Sequence, residues 1–365
     1  MMNTKGSNIK IGKRVIGDGN PCFITFEAGP IHDGVESAKK LIDLAAKAGG
    51  DAIKFQILDP DRLVADKRQM FSYDILVDRA TGQTKTVQEP LYDILKRRSL
   101  SPDEWKQVKA HADKVGLAFF ATIGFMDEVD LVVAMGCDSI KIASGDVNHH
   151  PLIRKVAKTG LVIQLDTGNS TLGEIEQAVD LCLAEGNNRI IIHQCPSGYP
   201  ARIESINLRI IQTLKTMLGF PIAYSDHTPG WDMDIAALAL GANLVEKTLT
   251  FDRTTPSVEH IFSLEPPDIF NFVKTIRDVE TAMGSTRRII HEAELPKRNS
   301  VRRSAFLARD VKAGEKIIMD DIEWRRPGHG IPPSMFLQIE GMIYSRDLTK
   351  SHLLSLADLK PQAQQ

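Results

Sequence analysis

Three charged residues stand inside otherwise apolar segments. Lys54 lies within DAIKFQ, Lys141 within SIKIAS and Glu246 within NLVEKTL. Burying a charge in such a segment costs roughly several kcal/mol unless it is paired or reaches water. Lysine is a good point-charge partner for phosphate or carboxylate, and glutamate suits proton transfer. A structural ion pair between these lysines and Glu246 or Glu27 is the simpler alternative.

Polar side chains recur near the ends of the other apolar segments. Considered together, two lysines, several hydroxyl groups and a histidine indicate a pocket for an anionic, oxygen-rich ligand. His32, in the glycine-flanked loop GPIHDG, is a further candidate. The polar residues at these ends are Glu27, Gln56, Thr122, Ser144, Asp166, Thr167, His193, Cys195, Ser225, Asp226, His227 and Thr248.

The apolar segments have the length and composition of buried strands, and helical patterns separate them. Ser101 with Glu104, and Thr171 with Glu174, have the spacing of capping boxes, which predicts a helix start at each. Strands that alternate with helices predict a parallel sheet covered by helices. The eight predicted strands are 22–28, 51–56, 117–123, 139–144, 161–166, 189–195, 221–226 and 243–249.

Eight strand–helix units in roughly 250 residues match the size of a closed (β/α)8 TIM barrel. A doubly wound open sheet is the alternative, but it would usually carry a glycine-rich phosphate fingerprint after its first strand. Here EAGPIHDG follows that strand instead. Active sites of TIM barrels lie at the carboxyl ends of the strands, so the barrel would bring the polar residues together.

The composition of the C-terminal part differs from that of the barrel. We predict a barrel domain over 1–284 and a polar linker over 285–301, because that segment contains a proline and has weak periodicity. Short alternating runs and turn signals such as KAGE predict a small β-rich domain over 302–365. So small a domain has little core of its own and would gain stability by docking.

Charge and hydropathy exclude several classes of partner. The 365 residues include 45 basic and 47 acidic residues, giving a net charge of −2 without charged blocks, so neither nucleic acid nor an anionic membrane is expected. The chain has no apolar stretch of the roughly 18 residues that a membrane span needs, and its start lacks the pattern of a signal peptide. We therefore expect a cytoplasmic protein whose four cysteines are buried thiols.

Several motifs occur in an order that is specific as a set. They are FEAGPIHDG, IKFQ, IKIASGDVNHHPLI, LDTGN, YSDHT and VEKTLT, followed by ARDVKAGEKI and RRPGHG. The chain resembles the N-acetylneuraminate (sialic acid) synthase family over nearly its whole length. The resemblance also implies that the C-terminal domain is an antifreeze-like (SAF) domain.

The resemblance implies a chemical reaction. The family condenses phosphoenolpyruvate with the open-chain aldehyde of an N-acylated hexosamine, which releases phosphate and gives a sialic-acid-like 3-deoxy-2-ulosonic (nonulosonic) acid. Glu246 or Glu27 would act in proton transfer as water adds to the condensed intermediate. The residues expected to hold phosphoenolpyruvate are Lys54, Thr122, Lys141, Ser144, Ser197 and Ser225, and those expected to face the sugar or the reacting carbons are Glu27, Gln56, Tyr199 and Glu259.

The resemblance also implies a partner subunit and a metal. Arg326 would reach into the site of a second copy and recognise the acyl group, which implies a domain-swapped homodimer. His227 would bind a divalent ion such as Mn²⁺, Mg²⁺ or Co²⁺. Four residues depart from the family pattern: Thr248 replaces a second metal-binding histidine, Asp166 replaces a serine near the phosphate, and Ser197 and Ile31 each replace an asparagine. A threonine hydroxyl is a poor ligand compared with imidazole.

Other functions remain open on the residues alone. One is a divergent synthase with a different sugar acceptor. Another is a Schiff-base aldolase that uses Lys141 or Lys54 as its nucleophile. A third is a sugar-binding protein that has lost catalysis.

Overall fold

Eight parallel strands close into a barrel in chain order, with the last strand hydrogen-bonded to the first. The computed structural model describes residues 8–362. It confirms the predicted TIM barrel and all eight predicted strands. They are Phe23–Glu27, Ala52–Gln56, Ala118–Ile123, Ser139–Ile142, Val162–Asp166, Ile190–Gln194, Ile222–Asp226 and Leu244–Thr248.

Helices follow the strands and pack around the barrel. The helix over Pro102–Val115 begins with the predicted capping box of Ser101 and Glu104, and the helix over Leu172–Ala184 begins with that of Thr171 and Glu174. Each box satisfies backbone N–H groups that the first helical turn would leave without partners. The remaining helices around the barrel are Val35–Ala48, Met126–Ala134, His150–Lys158, Ile210–Leu218, Asp232–Ala239 and Asp268–Met283.

The side-chain alternation of each strand decides which residues enter the barrel. In the eighth strand, Leu244 belongs to the cluster inside the barrel and Val245 to the cluster under the helices. A strand has a period of two, so Glu246 and Thr248 face inward while Lys247 faces outward. The same alternation in the second strand turns Lys54 inward. The charged side chains therefore lie on the same inward face of each strand as the apolar side chains that line the barrel.

Strand pairing places the inward polar residues at the same height. Glu27 pairs with Lys54 on one side and with Thr248 on the other, while Ser225 pairs with Glu246. Since the strands are parallel, these residues all lie at or near the carboxyl end of the barrel. The amino end is closed by an N-terminal hairpin, Ile9–Ile11 with Arg14–Ile16, whose isoleucines pack on the inner apolar cluster.

A second hairpin was not predicted from the sequence. Met70–Asp78 and Gln83–Pro90 pair antiparallel within the connection between the second and third barrel strands. The turn over 79–82 ends in Gly82, whose φ of 69° is typical of a hairpin connection. Short helices flank it at Pro60–Leu63 and Leu91–Lys96.

The chain divides into two compact units, Met1–Gly284 and Ser285–Gln365. Within the described part of the second unit, Ser304–Leu307 pairs with Ile322–Arg325 and Ile343–Tyr344 pairs with Leu359–Lys360, both antiparallel. These small sheets confirm the predicted β-rich fold. The unit has an apolar core of its own, which includes Leu307, Phe336 and Leu354. The segment predicted as a linker, 285–301, contains a helix over Leu295–Val301, and a second short helix spans Phe336–Ile339.

All four cysteines are buried free thiols. Among residues 8–362, no helix has the length and hydropathy needed to cross a bilayer.

A buried charge cluster lies outside the barrel, behind its seventh and eighth strands. The Lys247 ammonium binds Asp226 and donates to the Thr228 carbonyl oxygen at 2.5 Å, and Asp234 lies 3.7 Å away. Within the described chain, neither carboxyl oxygen of Asp234 has a hydrogen-bond partner. Burial, and then the neighbouring Asp226, raises the pKa of Asp234 well above its ordinary value. Lys247 thus compensates Asp226, and Asp234 is the excess acid.

We predict unequal effects of mutating this cluster. Lys247→Met should lower the free energy of unfolding by about 3–5 kcal/mol, because it leaves a buried carboxylate without its cation. Asp234→Asn should change it by less than about 1 kcal/mol in either direction, since the amide keeps the size of a buried acid whose oxygens make no hydrogen bond in the described chain. Urea unfolding followed by circular dichroism measures both. Equal destabilisation by the two substitutions would contradict this assignment.

Candidate active site

A single carboxylate, that of Glu246, holds both strand lysines together. Its Oε1 atom lies 2.7 Å from Lys54 Nζ and 2.7 Å from Lys141 Nζ, and its Oε2 atom lies 2.7 Å from Lys141. Burial opposes ionisation of Glu246, but the charges of Lys141 and Lys54 outweigh it and lower the pKa of its carboxyl group. The two ammonium groups therefore meet at one rim of the barrel.

Lys141 lies beneath the rim with no solvent exposure. Besides Glu246, it contacts Asp166 Oδ2 at 3.0 Å and donates to Ser225 Oγ at 3.1 Å. The ammonium group has three N–H donors, which go to Ser225 Oγ and to both carboxylate oxygens of Glu246, while Asp166 adds an ion-pair contact. Asp166 thus acts here as a partner of Lys141, which is how a carboxylate is accommodated at this position.

Lys54 lies on the upper side of Glu246 and also contacts Glu27 Oε2 at 2.5 Å. Burial favours the neutral amine, but Glu246 and Glu27 together raise the pKa of Lys54 well above its ordinary value. Glu27 is itself held by the Gly29 N–H at 2.6 Å and by the Gln56 amide at 3.2 Å. Lys54 is therefore a fixed ammonium group.

A cavity of about 300 Å³ opens directly above this cluster. Its wall combines hydroxyl and ammonium donors with carboxylate acceptors, which suits a substrate carrying both anionic groups and hydroxyl groups. The predicted site residues in its lining are Glu27, Lys54, Gln56, Thr122, Ser144, Tyr199, His227, Glu246 and Glu259, and Asp166 lines it as well.

The structure places the other four predicted residues elsewhere. Lys141 and Ser225 are buried under the cavity floor. Ser197 is exposed and lines a neighbouring cavity of about 520 Å³, with its hydroxyl 2.8 Å from both the Gly168 carbonyl oxygen and Asn169 Oδ1. Arg326 belongs to the second unit, where it is exposed and follows the strand Ile322–Arg325.

Unlike Glu27, Asp166 and Glu246, Glu259 has no lysine contact among the residues that the structure describes. It adopts a left-handed backbone conformation with φ of 71° before a short helical turn. Burial, and then repulsion from Glu27, raises the pKa of Glu259 to about 8, although Arg98 opposes this. At neutral pH this side chain is a carboxylic acid that can donate a proton.

The donors near His227 do not fit a metal site held by the protein. Its Nδ1 atom lies 3.3 Å from the Pro196 carbonyl oxygen, and its ring packs on Tyr199 with centroids 4.5 Å apart. Thr248 supplies only a hydroxyl group where a second imidazole would be needed. In the part of the chain that the structure describes, no three His, Cys, Asp or Glu side chains converge on one point.

Two residues lie under the cavity without a predicted role: Gln164 was not named from the sequence, and His193 was named only among the polar strand ends. Gln164 and His193 are fully buried inside the barrel and hydrogen-bonded to each other at 2.9 Å. Gln164 stands two residues before Asp166 in an apolar strand, so the period of two could have placed it on the inner face. His32, in contrast, packs edge-on against Phe55 and Trp105 on the outer side of the barrel.

Models of two protein families match most of the chain. The model of the NeuB family matches residues 41–288, and that of the SAF domain matches residues 302–360. The chain belongs to the NeuB family. This confirms the predicted resemblance and the predicted enzyme class, a transferase of the sialic acid synthase type.

Similar proteins carry related names. The N,N'-diacetyllegionaminic acid synthase of Legionella pneumophila is 34% identical over 94% of this chain and 96% of its own length. The N-acetylneuraminate-9-phosphate synthase of Mus musculus is 29% identical over 90% of each chain. A crystal structure of N-acetylneuraminic acid synthetase from Leptospira borgpetersenii with citrate superposes with a TM-score of 0.69 at 29% identity, covering 81% of this chain and 98% of that one.

Proposed function

We propose that this NeuB-family enzyme condenses phosphoenolpyruvate with the open-chain aldehyde of an N-acylated hexosamine, giving a nonulosonic acid and phosphate. The observation that carries the proposal is the Lys54–Glu246–Lys141 cluster under a cavity of about 300 Å³. The names of its relatives, which include legionaminic, pseudaminic and sialic acid synthases, support nonulosonic acid synthesis in general.

Phosphoenolpyruvate would bind against the side of the cavity that is rich in donors. Lys54 offers a charge, and Thr122 and Ser144 offer hydroxyl groups. The anion would take over the N–H contact of Lys54 that Glu27 now holds, since an anionic oxygen makes a strong hydrogen bond with an ammonium group. Glu246, itself held by Lys141, would keep that ammonium in place from below.

The aldehyde end of the sugar would lie near Gln56, Tyr199 and Glu259. Attack of the enol carbon on the aldehyde carbon forms a carbon–carbon bond and leaves negative charge on the aldehyde oxygen. Glu259, as a neutral acid, would donate a proton to that oxygen. Glu27 would then accept a proton from the water that adds to the cationic carbon. The bond from that carbon to the bridging oxygen then breaks, and the hydroxyl left by the water gives up its proton to the departing phosphate and becomes the keto group.

The residues do not fit a protein-held metal, so each proton transfer is assigned to side chains of the chain itself. The Schiff-base alternative is disfavoured by the same cluster. Its nucleophile must be a neutral amine, whereas the carboxylates around Lys54 raise its pKa and keep it protonated.

A direct test is incubation with phosphoenolpyruvate and a panel of N-acyl hexosamines, with and without chelator. We expect phosphate and a 3-deoxy-ulosonic acid, detected by mass spectrometry, only when both substrates are present. Lys141→Ala should lower product formation by at least about 100-fold, because Glu246 and Asp166 lose their shared cation. Lys106→Ala, an exposed lysine on the helix Pro102–Val115, is the control.

Two results would refute this assignment. One is near-normal product formation by a correctly folded Lys141→Ala variant. The other is borohydride trapping of pyruvate on Lys54 or Lys141, which would favour the Schiff-base aldolase.

The raised pKa of Glu259 predicts a specific pH dependence. Below about pH 8 the group is protonated, so it can serve as an acid and adds no negative charge to the cavity. As the pH rises through 8 it ionises, so we expect kcat/KM for phosphoenolpyruvate to fall. In Glu259→Gln the activity should be lower and the alkaline decline should be lost. An unchanged alkaline decline in this variant would remove Glu259 from the acid role.

We further propose that Arg326 recognises the acyl group of the sugar in the site of a partner subunit. Arg326→Ala should raise the KM of the sugar about tenfold, the loss of one charged hydrogen bond, and leave the KM of phosphoenolpyruvate unchanged. Equal effects on both substrates would contradict acyl recognition.

Mixed dimers test whether Arg326 acts across subunits. Consider a dimer of one Lys141→Ala subunit and one Arg326→Ala subunit in which each site takes its arginine from the other subunit. The site in the Lys141→Ala subunit then has both defects, and the site in the Arg326→Ala subunit has neither. Random mixing of the two variants should then restore about a quarter of the activity at limiting sugar. If Arg326 serves its own subunit, every site keeps one defect and no activity returns.

A further inference from the structure

A chain of buried hydrogen bonds leads from the barrel wall to Ser225 under the cavity. It runs through Ser139, Gln164 and His193, with successive distances of 2.9 Å at each link up to Ser225 Oγ. Ser139, Gln164 and His193 have no solvent exposure, and Ser225 has 1%. The hydrogen-bonded chain reaches Lys141 through Ser225, so its polarity determines which way the Ser225 proton points.

The direction of the hydrogen bonds along this chain is set at Ser139, in the barrel wall. The single hydroxyl proton of Ser139 is donated to the Val162 carbonyl oxygen at 3.1 Å, so Ser139 accepts from the Gln164 amide nitrogen. That orients the amide with Oε1 toward His193 Nε2 at 2.9 Å. A carbonyl oxygen only accepts, so the imidazole proton must reside on Nε2.

The imidazole carries only that one proton. Burial, and then the charge of Lys141, lowers the pKa of His193 to about 3, despite opposing contributions from Asp166 and Glu246. Asp166 Oδ1 and Glu246 Oε2 lie 3.7 and 4.0 Å from Nδ1, and Lys54 adds a further positive charge nearby. Nδ1 is therefore a bare acceptor facing Ser225.

The Ser225 hydroxyl must then donate its only proton to Nδ1, at 2.9 Å. Its oxygen accepts from Lys141 Nζ at 3.1 Å. No proton remains for Asp166 Oδ1, 3.3 Å away, or for a substrate anion. This differs from the sequence-based expectation that Ser225 holds phosphoenolpyruvate.

We propose that Ser225 is a positioning residue that accepts a hydrogen bond from Lys141. The Ser139–Gln164–His193 chain fixes this role, because it takes the Ser225 proton that could otherwise be donated to a substrate anion. The kinetic consequence rests on the proposed function, whereas the polarity of the chain does not. Lys141 thereby keeps one N–H on a neutral oxygen and the other two on Glu246, with Asp166 as a further ion-pair partner.

The polarity can be measured without substrate. In protein with ¹⁵N-labelled histidine, nitrogen NMR distinguishes a protonated ring nitrogen from a bare one. The protein has ten histidines, so the His193 signals are assigned as those lost in His193→Asn. We expect Nε2 protonated and Nδ1 bare between pH 6 and about 9. A proton on Nδ1 in this range would overturn the proposal even if the enzyme has the proposed activity.

Kinetics provide the second test. In Ser225→Ala we expect kcat to fall about tenfold, with the KM of phosphoenolpyruvate within about twofold, because only an acceptor for Lys141 is lost. A tenfold rise in that KM with kcat retained would show that Ser225 donates to the anion and would contradict the proposal.

His193 variants separate the polarity from simple packing. His193→Asn can place an amide oxygen where Nδ1 stands and accept from Ser225, whereas His193→Leu cannot. We expect the Asn variant to retain at least about fivefold more kcat than the Leu variant. Equal loss in two variants of equal thermal stability would mean that His193 only fills space.

Discussion

The structure of the site depends on one ion cluster, in which Glu246 binds Lys54 and Lys141 at once. Two ammonium groups this close repel each other, and burying both charges without a carboxylate between them would be costly. Each element of the barrel contributes to this arrangement. The alternation of the strands turns the three side chains inward, and the parallel register brings them to the same height.

On the proposed function, the charges of the cluster also give the cavity a basis for selecting among substrates. Lys54, Lys141 and their three carboxylates, Glu27, Asp166 and Glu246, leave no excess of positive charge. A simple anion trap would have such an excess. An anionic substrate must therefore exchange places with carboxylates, and it gains most when hydroxyl groups and a neutral acid such as Glu259 also face it. This arrangement suits a substrate that is rich in oxygen and reacts at two centres.

Much of this could be predicted from the sequence, because it depends on local patterns. Apolar runs predicted the strands, and the capping boxes of Ser101 and Thr171 predicted helix starts. Charges inside apolar runs identified Lys54, Lys141 and Glu246 as candidate site residues. The features that could not be predicted depend on the distances between side chains of different strands. Ser197 and Ser225 both occur near strand ends, but only the fold shows that one lines a different cavity and the other lies beneath the floor. Hydrogen-bond polarity likewise requires every partner in the chain from Ser139 to Ser225.

The most direct test of the account is a crystal structure with phosphoenolpyruvate bound. The account predicts the phosphate and carboxylate groups in the cavity of about 300 Å³, with at least one anionic oxygen within hydrogen-bond distance of Lys54 Nζ and none on Ser225. It would be contradicted if phosphoenolpyruvate bound elsewhere on the protein while Glu27 and Glu246 still occupied both lysines.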